Sequence, residues 1–222
     1  IPIDLKQTQK LTGCAAALSR FISRLGEKAL PLYRLLRRTE HFEWTDATTS
    51  RLEDIKAILA TNPILVVPNV IEPMLLYIAA THQVVSAVLV VERETVGHKF
   101  PLQKPVYYVS TILTPCKSRY PHYQKIAYAV FMASRKLQHY FQECPITVAS
   151  EVPLNDIINN RDATGRIAKW VIELLPFDIT YKPRRAIKSQ ILADFVTEWT
   201  EAELPKEYGA YSNWIMHFDG LK

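Results

Sequence analysis

The residues of this chain best placed to do chemistry are cations. Between Thr95 and Gln142 there is no Asp or Glu, while Lys99, Lys104, Lys117, Arg119, Lys125, Arg135 and Lys136 all fall inside. Ammonium and guanidinium groups without carboxylates to neutralise them set up a positive field. The partner suited to that field is a polyanion such as a nucleic-acid backbone, met through sequence-independent contacts to phosphate. The plain alternative is a solvated basic face. Lys182, Arg184, Arg185 and Lys188, with Tyr181 beside them, form a second cluster open to the same two readings. Nucleophilic and metal chemistry have less to work with. Cys14, Cys116 and Cys144 are far apart, and an odd set fits small buried side chains in a reducing, intracellular compartment, cytoplasmic or nuclear, rather than disulfides or zinc. The six histidines show no ligand spacing, and His217 beside Asp219 reads as strand filler.

The elements that must position these cations follow from composition and period. An apolar fraction of 48% with 22% charged residues is that of an ordinary globular chain, net charge +5 and pI about 9.0 leave an anionic partner open, and 222 residues can bury a real core as one large domain or two small ones. No apolar run approaches the ~20 residues of a membrane span, so no membrane partner is expected. Leu11, Ala15, Leu18, Ile22 and Leu25 recur at intervals of three and four, predicting one helix over 5–25 with Gly26 as its C-terminal cap. Lys10, Arg20 and Arg24 lie along it. A short helix after Pro31 and a third capped by Thr45 or Asp46 complete a small all-helical unit. From Pro63 the period changes. Ile64–Pro68, Met74–Thr81, Val84–Val91 and Val106–Val109 read as adjacent, mostly buried strands. The span 122–142 is the strongest helix, with Tyr123, Ile126, Ala127, Val130, Leu137 and Phe141 on one face and Lys125, Lys136 and His139 opposite. Ile146–Ser150 and Phe177–Lys182 read as further strands, 154–159 and 164–175 as helices, and Leu192, Phe195, Val196 and Trp199 as a closing helix carrying Asp194.

This order, with Leu11–Ile22, Pro31–Leu36, Phe42-Glu-Trp44, Pro105–Ser110, Arg119-Tyr120, His139-Tyr140, Ala168-Lys-Trp170, Ile179–Pro183 and Leu192-Ala-Asp194, resembles the reverse transcriptases of Ty3/gypsy-type retrotransposons, with a plant flavour. The resemblance implies an α/β fold: an RNase H-like mixed sheet with flanking helices at 63–200, preceded by a small all-helical thumb-like unit at 1–60. An acidic, turn-rich linker at 201–212 and the first strand of a second RNase H domain at 213–222 would follow. The opening Ile1-Pro-Ile-Asp4 and the closing strand-like run fit a piece of a longer polyprotein.

Active relatives, by the same resemblance, hold two divalent metals with four carboxylates. Here the first falls on Ala79, the helical one on Ile126 with Gln124 beside it, and the third on Ser150, displaced by one from Glu151; a remnant survives as Asp194. A methyl, a butyl and a hydroxyl group cannot offset two such ions. Asp219 would matter only if a complete second domain followed. The expectation is therefore a segment without its own metal or cofactor, Mg2+ belonging to the parent enzyme. Such a segment would link polymerase and RNase H domains and contact an RNA–DNA or DNA duplex through Lys117, Arg119, Lys125, Arg135, Lys136, Arg184 and Arg185. The rivals are a working nuclease that cleaves RNA in hybrids and a protein-interaction module.

Overall fold

The computed structural model describes residues 2, 4–36, 42–60, 65–94, 101–158 and 165–183. Strands β1 (Met74–Ala80) and β2 (Val84–Arg93) are aliphatic runs without alternation because both of their faces are covered. They form an antiparallel hairpin, its turn tied by Thr81, whose N–H donates to the Val84 carbonyl at 2.8 Å and whose Oγ1 accepts from Val84 N at 3.1 Å. β3 (Leu102–Ile112) runs antiparallel to β2, with a register shift between Leu89 and Val90 where Pro105 enters the ladder. A proline has no N–H to offer a ladder, and an edge strand with a bulge accommodates it. β4 (Ile146–Ser150) pairs parallel with β1, and β5 (Ile179–Pro183) parallel with β4. The sheet order is β3-β2-β1-β4-β5, a mixed sheet flanked by helices and an RNase H-like fold.

Before the sheet come α1 (Leu5–Ala17), a 3-10 turn at Ser19–Phe21, α2 (Leu25–Lys28), α3 (Leu30–Leu35) and α4 (Asp46–Ala60). The single helix expected over 5–25 is thus one helix and a 3-10 turn, with α2 beginning only at Leu25. Asp4 caps α1, accepting from Gln7 N at 2.7 Å. Gly26 is not a cap at all: it lies inside α2, pressed against the sheet. Ala15, Ile22, Leu25, Ala29, Leu32 and Ile55 give these helices a core of their own. The expected strand at 64–68 is not formed over its described residues, where Val66 N meets the Pro105 carbonyl at 3.0 Å without a ladder.

After β3 come α5 (Pro115–Ser118), α6 (His122–Lys136), α7 (Gln138–Glu143), α8 (Leu154–Ile158) and α9 (Arg166–Leu174). The long helix expected to 142 breaks at Leu137, which leaves helical geometry at φ −114° and ψ 31°. The break lets Leu137 and Phe141 both enter the main core, at 2% and 1% exposure. Cross-strand partners share a face, so two contacts orient the whole sheet. Thr111 Oγ1 lies 3.3 Å from Met132 Sδ on α6, and its register partners Val85 and Ala80 therefore face α6. Gly26 N on α2 donates to Ser110 Oγ at 2.9 Å, and its partners Ser86 and Ala79 face the early helices. One face of the sheet is thus closed by α6, while α2 and the 3-10 turn sit on the other at β2 and β3.

Candidate nucleic-acid interface

The positions where carboxylates would hold metal do not converge as the sequence implied. Val148 pairs with Leu76, so Ser150, two residues on, shares the α6 face with Ile78 and Ala80. Ala79 points through the sheet to the other side. The β1 residue on the same face as Ser150 at this end is Ala80, and both are buried, at 1% and 4% exposure. Ile126 on α6 is buried at 1%. The correction follows from the two-residue period of a strand, in which one step of register exchanges the faces. It leaves the donor set as poor as before: alanine, isoleucine and serine do not fit a pair of divalent ions. Ser150 Oγ accepts from Val152 N at 3.0 Å, turning the chain out of the sheet. Glu151 is exposed and lies 3.2 Å from His122 Nε2. Among the described residues no group of three His, Cys, Asp or Glu could hold a metal ion. Asp194 and Asp219 lie outside the described residues, as do Arg184, Arg185, the closing helix, the linker and the last strand.

The basic segment divides into cations that are engaged and cations that are presented. Lys125, expected on the solvated face of its helix, is buried at 7% exposure, and its ammonium donates to the Thr81 and His82 carbonyls at 3.3 and 3.2 Å. It ties α6 to the β1–β2 turn. Helical spacing placed it opposite the apolar stripe, but the turn of a neighbouring hairpin reaches over that side. Lys117 donates to the Tyr128 hydroxyl at 2.7 Å with its ammonium 4.4 Å from the same ring. Arg135 is exposed, lies over Phe131 at 5.6 Å, and comes within 3.9 Å of Glu173. Arg119 is exposed. Lys136 is exposed as a residue, yet its ammonium lies 3.4 Å from the Ser110 carbonyl, and lost hydration lowers its pKa from the usual lysine range.

Two features were missed by sequence reasoning. Trp170 on α9 gathers Tyr120, Tyr128 and Phe131 within 5.5 to 6.1 Å between ring centroids. Lys117, Arg135 and Arg166 each sit over one ring of that cluster, a cation–π arrangement that fixes aromatic and charge together. The available signal was α9's own amphipathic pattern. The second feature is Arg20, whose guanidinium stacks between Phe21 at 5.2 Å and Tyr107 at 5.1 Å, joining the early helices to β3. No sequence spacing announces a pair 87 residues apart in the chain, as Arg20 and Tyr107 are.

Residues 44–148 match the family described as "RNase H-like domain found in reverse transcriptase". The chain is 28% identical over 204 residues to the Gag-Pol polyprotein of Gibbon ape leukemia virus, covering 90% of this chain and 12% of that protein. It is 32% identical over 129 residues to the Gag-Pol polyprotein of Koala retrovirus, covering 58% and 7%. The Tf2-3 transposon polyprotein of Schizosaccharomyces pombe matches at 25% over 198 residues, 83% of this chain and 14% of the other. The chain therefore spans no more than 14% of these relatives. In fold it is similar to a foamy viral protease-reverse transcriptase solved with an RNA/DNA hybrid, at a TM-score of 0.70 and 19% identity, over 98% of this chain and 28% of that one. Family match, relatives and fold point the same way: residues 44–148 resemble the RNase H-like domain found in reverse transcriptases, and the chain is similar to retroviral and transposon polyproteins in sequence and has an RNase H-like fold.

Proposed function

We propose that this chain is a catalytically inert, connection-type RNase H-like segment of a Ty3/gypsy-type element's reverse transcriptase. In this reading it joins polymerase and RNase H domains of a longer polyprotein and steers a template–primer duplex between them by charge. The observation that carries the proposal is the trio on the α6 side of the sheet, where Ala80, Ile126 and Ser150 occupy the end of β1, the helix and the end of β4. The transposon polyproteins among the relatives and the neighbouring structures solved with RNA/DNA hybrid and double-stranded DNA support the setting. The helices of 1–60 take the thumb-like part, and Mg2+ is a requirement of the parent enzyme rather than of this segment.

The purified chain, incubated with labelled RNA–DNA hybrid and magnesium or manganese, is expected to release no product. Cleavage that disappears in Asp194→Asn would overturn the inert reading and install the nuclease. Binding of the same hybrid is expected to weaken steeply with salt, as contacts to phosphate do.

A second reading, a protein-interaction module, is favoured by one observation. Val67, Val70 and Ile71 are exposed at 83%, 93% and 66% on a loop that Arg93 holds through Glu72 and the Val67 carbonyl. Salt-independent association that is lost on Val70→Asp, together with no binding of hybrid, would favour it over duplex steering.

A further inference from the structure

Where α9 packs on α6, aromatic rings serve as seats for cations. Lys117 sits over Tyr128 at 4.4 Å, Arg166 over Tyr120 at 4.8 Å and Arg135 over Phe131 at 5.6 Å, and all three rings gather on Trp170. A cation held over a ring face stays where it is put. Arg119 and Arg166 are exposed, Lys117 is half-buried, and Lys169, nearly one helical turn from Arg166, adds an exposed ammonium. Glu173 comes within 3.9 Å of Arg135 and Glu151 lies by His122. Among the described residues no carboxylate pairs with Lys117, Arg119 or Arg166.

The rings themselves are spent. Trp170 and Tyr128 are buried, and Tyr120 and Phe131 already carry guanidinium groups, so the surface offers no bare ring on which a base could stack. What it offers is fixed charge, with guanidinium forks of the shape that takes a carboxylate by both oxygens. The chain carries such carboxylates. Glu201, Glu203 and Glu207 stand within seven residues, against the single cation Lys206. They are also within reach. β5 ends at Pro183, in register with Ser150, and the next residue, Glu151, lies 3.2 Å from His122, two positions after Tyr120. The described chain therefore leaves the sheet at the end where the cation cluster begins. From Pro183 to Glu201 it can span about 40 Å even with a helix around Leu192–Trp199. That exceeds the radius of gyration of about 17 Å for a folded chain of this length. A tether of this kind holds the glutamates near the surface at an effective concentration of order mM.

We propose that the cationic surface of Lys117, Arg119 and Arg166, braced on the Trp170 cluster, binds the chain's own acidic segment 201–207 through ion pairs with its glutamates. The contact goes beyond duplex steering and gives Lys117 and Arg119, expected from sequence to meet phosphate, a partner within the same chain.

The test is zero-length carbodiimide coupling in the full chain, which joins a glutamate to a lysine when the two are in ion-pair contact. Peptide mass spectrometry on a mixture of isotope-labelled and unlabelled protein separates links within a chain from links between chains. Links from Glu201, Glu203 or Glu207 to Lys117 or Lys169 are expected within single chains. They should fade as salt rises from about 0.05 M to about 0.5 M, and fall several-fold in Arg119→Glu/Arg166→Glu. The Lys56 to Glu53 link on α4 should be untouched by those two substitutions. Links that run only between chains, that join 201–207 to Lys182 or Lys188 alone, that persist unchanged in the variant, or that are absent would overturn the proposal. Absence together with shielding of Lys117 by an RNA–DNA hybrid would assign the surface to nucleic acid instead. Should the variant fail to fold by circular dichroism, Glu201→Gln/Glu203→Gln/Glu207→Gln decides. With those acids gone, Lys117 and Lys169 should acetylate several-fold faster than in the native chain, and unchanged rates would overturn the proposal.

Discussion

At the scale of single residues, the informative side chain is Lys125, because its type and its place disagree. A lysine in an acid-free stretch reads as a phosphate contact, and in the fold it is spent on two carbonyls of the β1–β2 turn. Replacing it with methionine leaves those oxygens short of a donor in a buried site. A loss of about 1–3 kcal/mol in unfolding free energy is expected, measured by urea denaturation. The salt slope of any hybrid binding should not change, since this ammonium is engaged by the two carbonyls. A drop of one unit in that slope would mean that the ammonium reaches phosphate after all. The same scale shows where the one nearby acid goes: Glu151 follows Ser150 by one residue, and its carboxylate is exposed beside His122 at the start of α6 rather than buried with Ala80, Ile126 and Ser150.

At the scale of elements, what matters is which segments are held and by what. The loop over 65–73 has no ladder of its own, yet Arg93 at the end of β2 fixes it, donating to both Glu72 carboxylate oxygens and to the Val67 carbonyl. Hydrogen bonds from Arg93 hold the Glu72 carboxyl below its ordinary range. A carboxyl whose folded pKa is depressed stabilises the fold above its unfolded pKa, and that contribution is lost as pH falls through the folded value. The native chain's urea midpoint should therefore fall more steeply than that of Glu72→Gln as pH drops from about 5 to about 3, and identical slopes would show the pair to be unlinked to folding. Trp170 holds α9 against α6, and the cations seated on the aromatic cluster are as much part of that packing as they are surface charge. This is why only some of the basic residues remain free to meet a polyanion.

At the scale of the whole molecule, the early helices and the sheet have separate cores but a shared boundary. The boundary consists of Gly26 against Ser110, Arg34 on Gln83 and Arg20 between Phe21 and Tyr107. A Cβ on Gly26 would lie 2.6 Å from Ser110 Oγ and 2.9 Å from Val84 Cγ1. Helix propensity alone says that Gly26→Ala stabilises by up to about 1 kcal/mol, whereas forcing the helix off the sheet costs about 1–3 kcal/mol. With contacts this short the second term wins. Amide exchange over Ile22–Leu35 should then accelerate before that of β2, and stabilisation on urea titration would contradict the docking. Much of this fold is legible in the chain itself. Unbroken aliphatic runs such as Val84–Val91 announce buried strands and the stripe from Tyr123 to Val130 announces α6, because period and residue type are local properties. Which face Ala79 looks toward, where Lys125 sends its charge and why Gly26 is a glycine were settled only by tertiary structure. Register, docking distance and burial are relations between segments far apart in the chain, and no residue carries them alone.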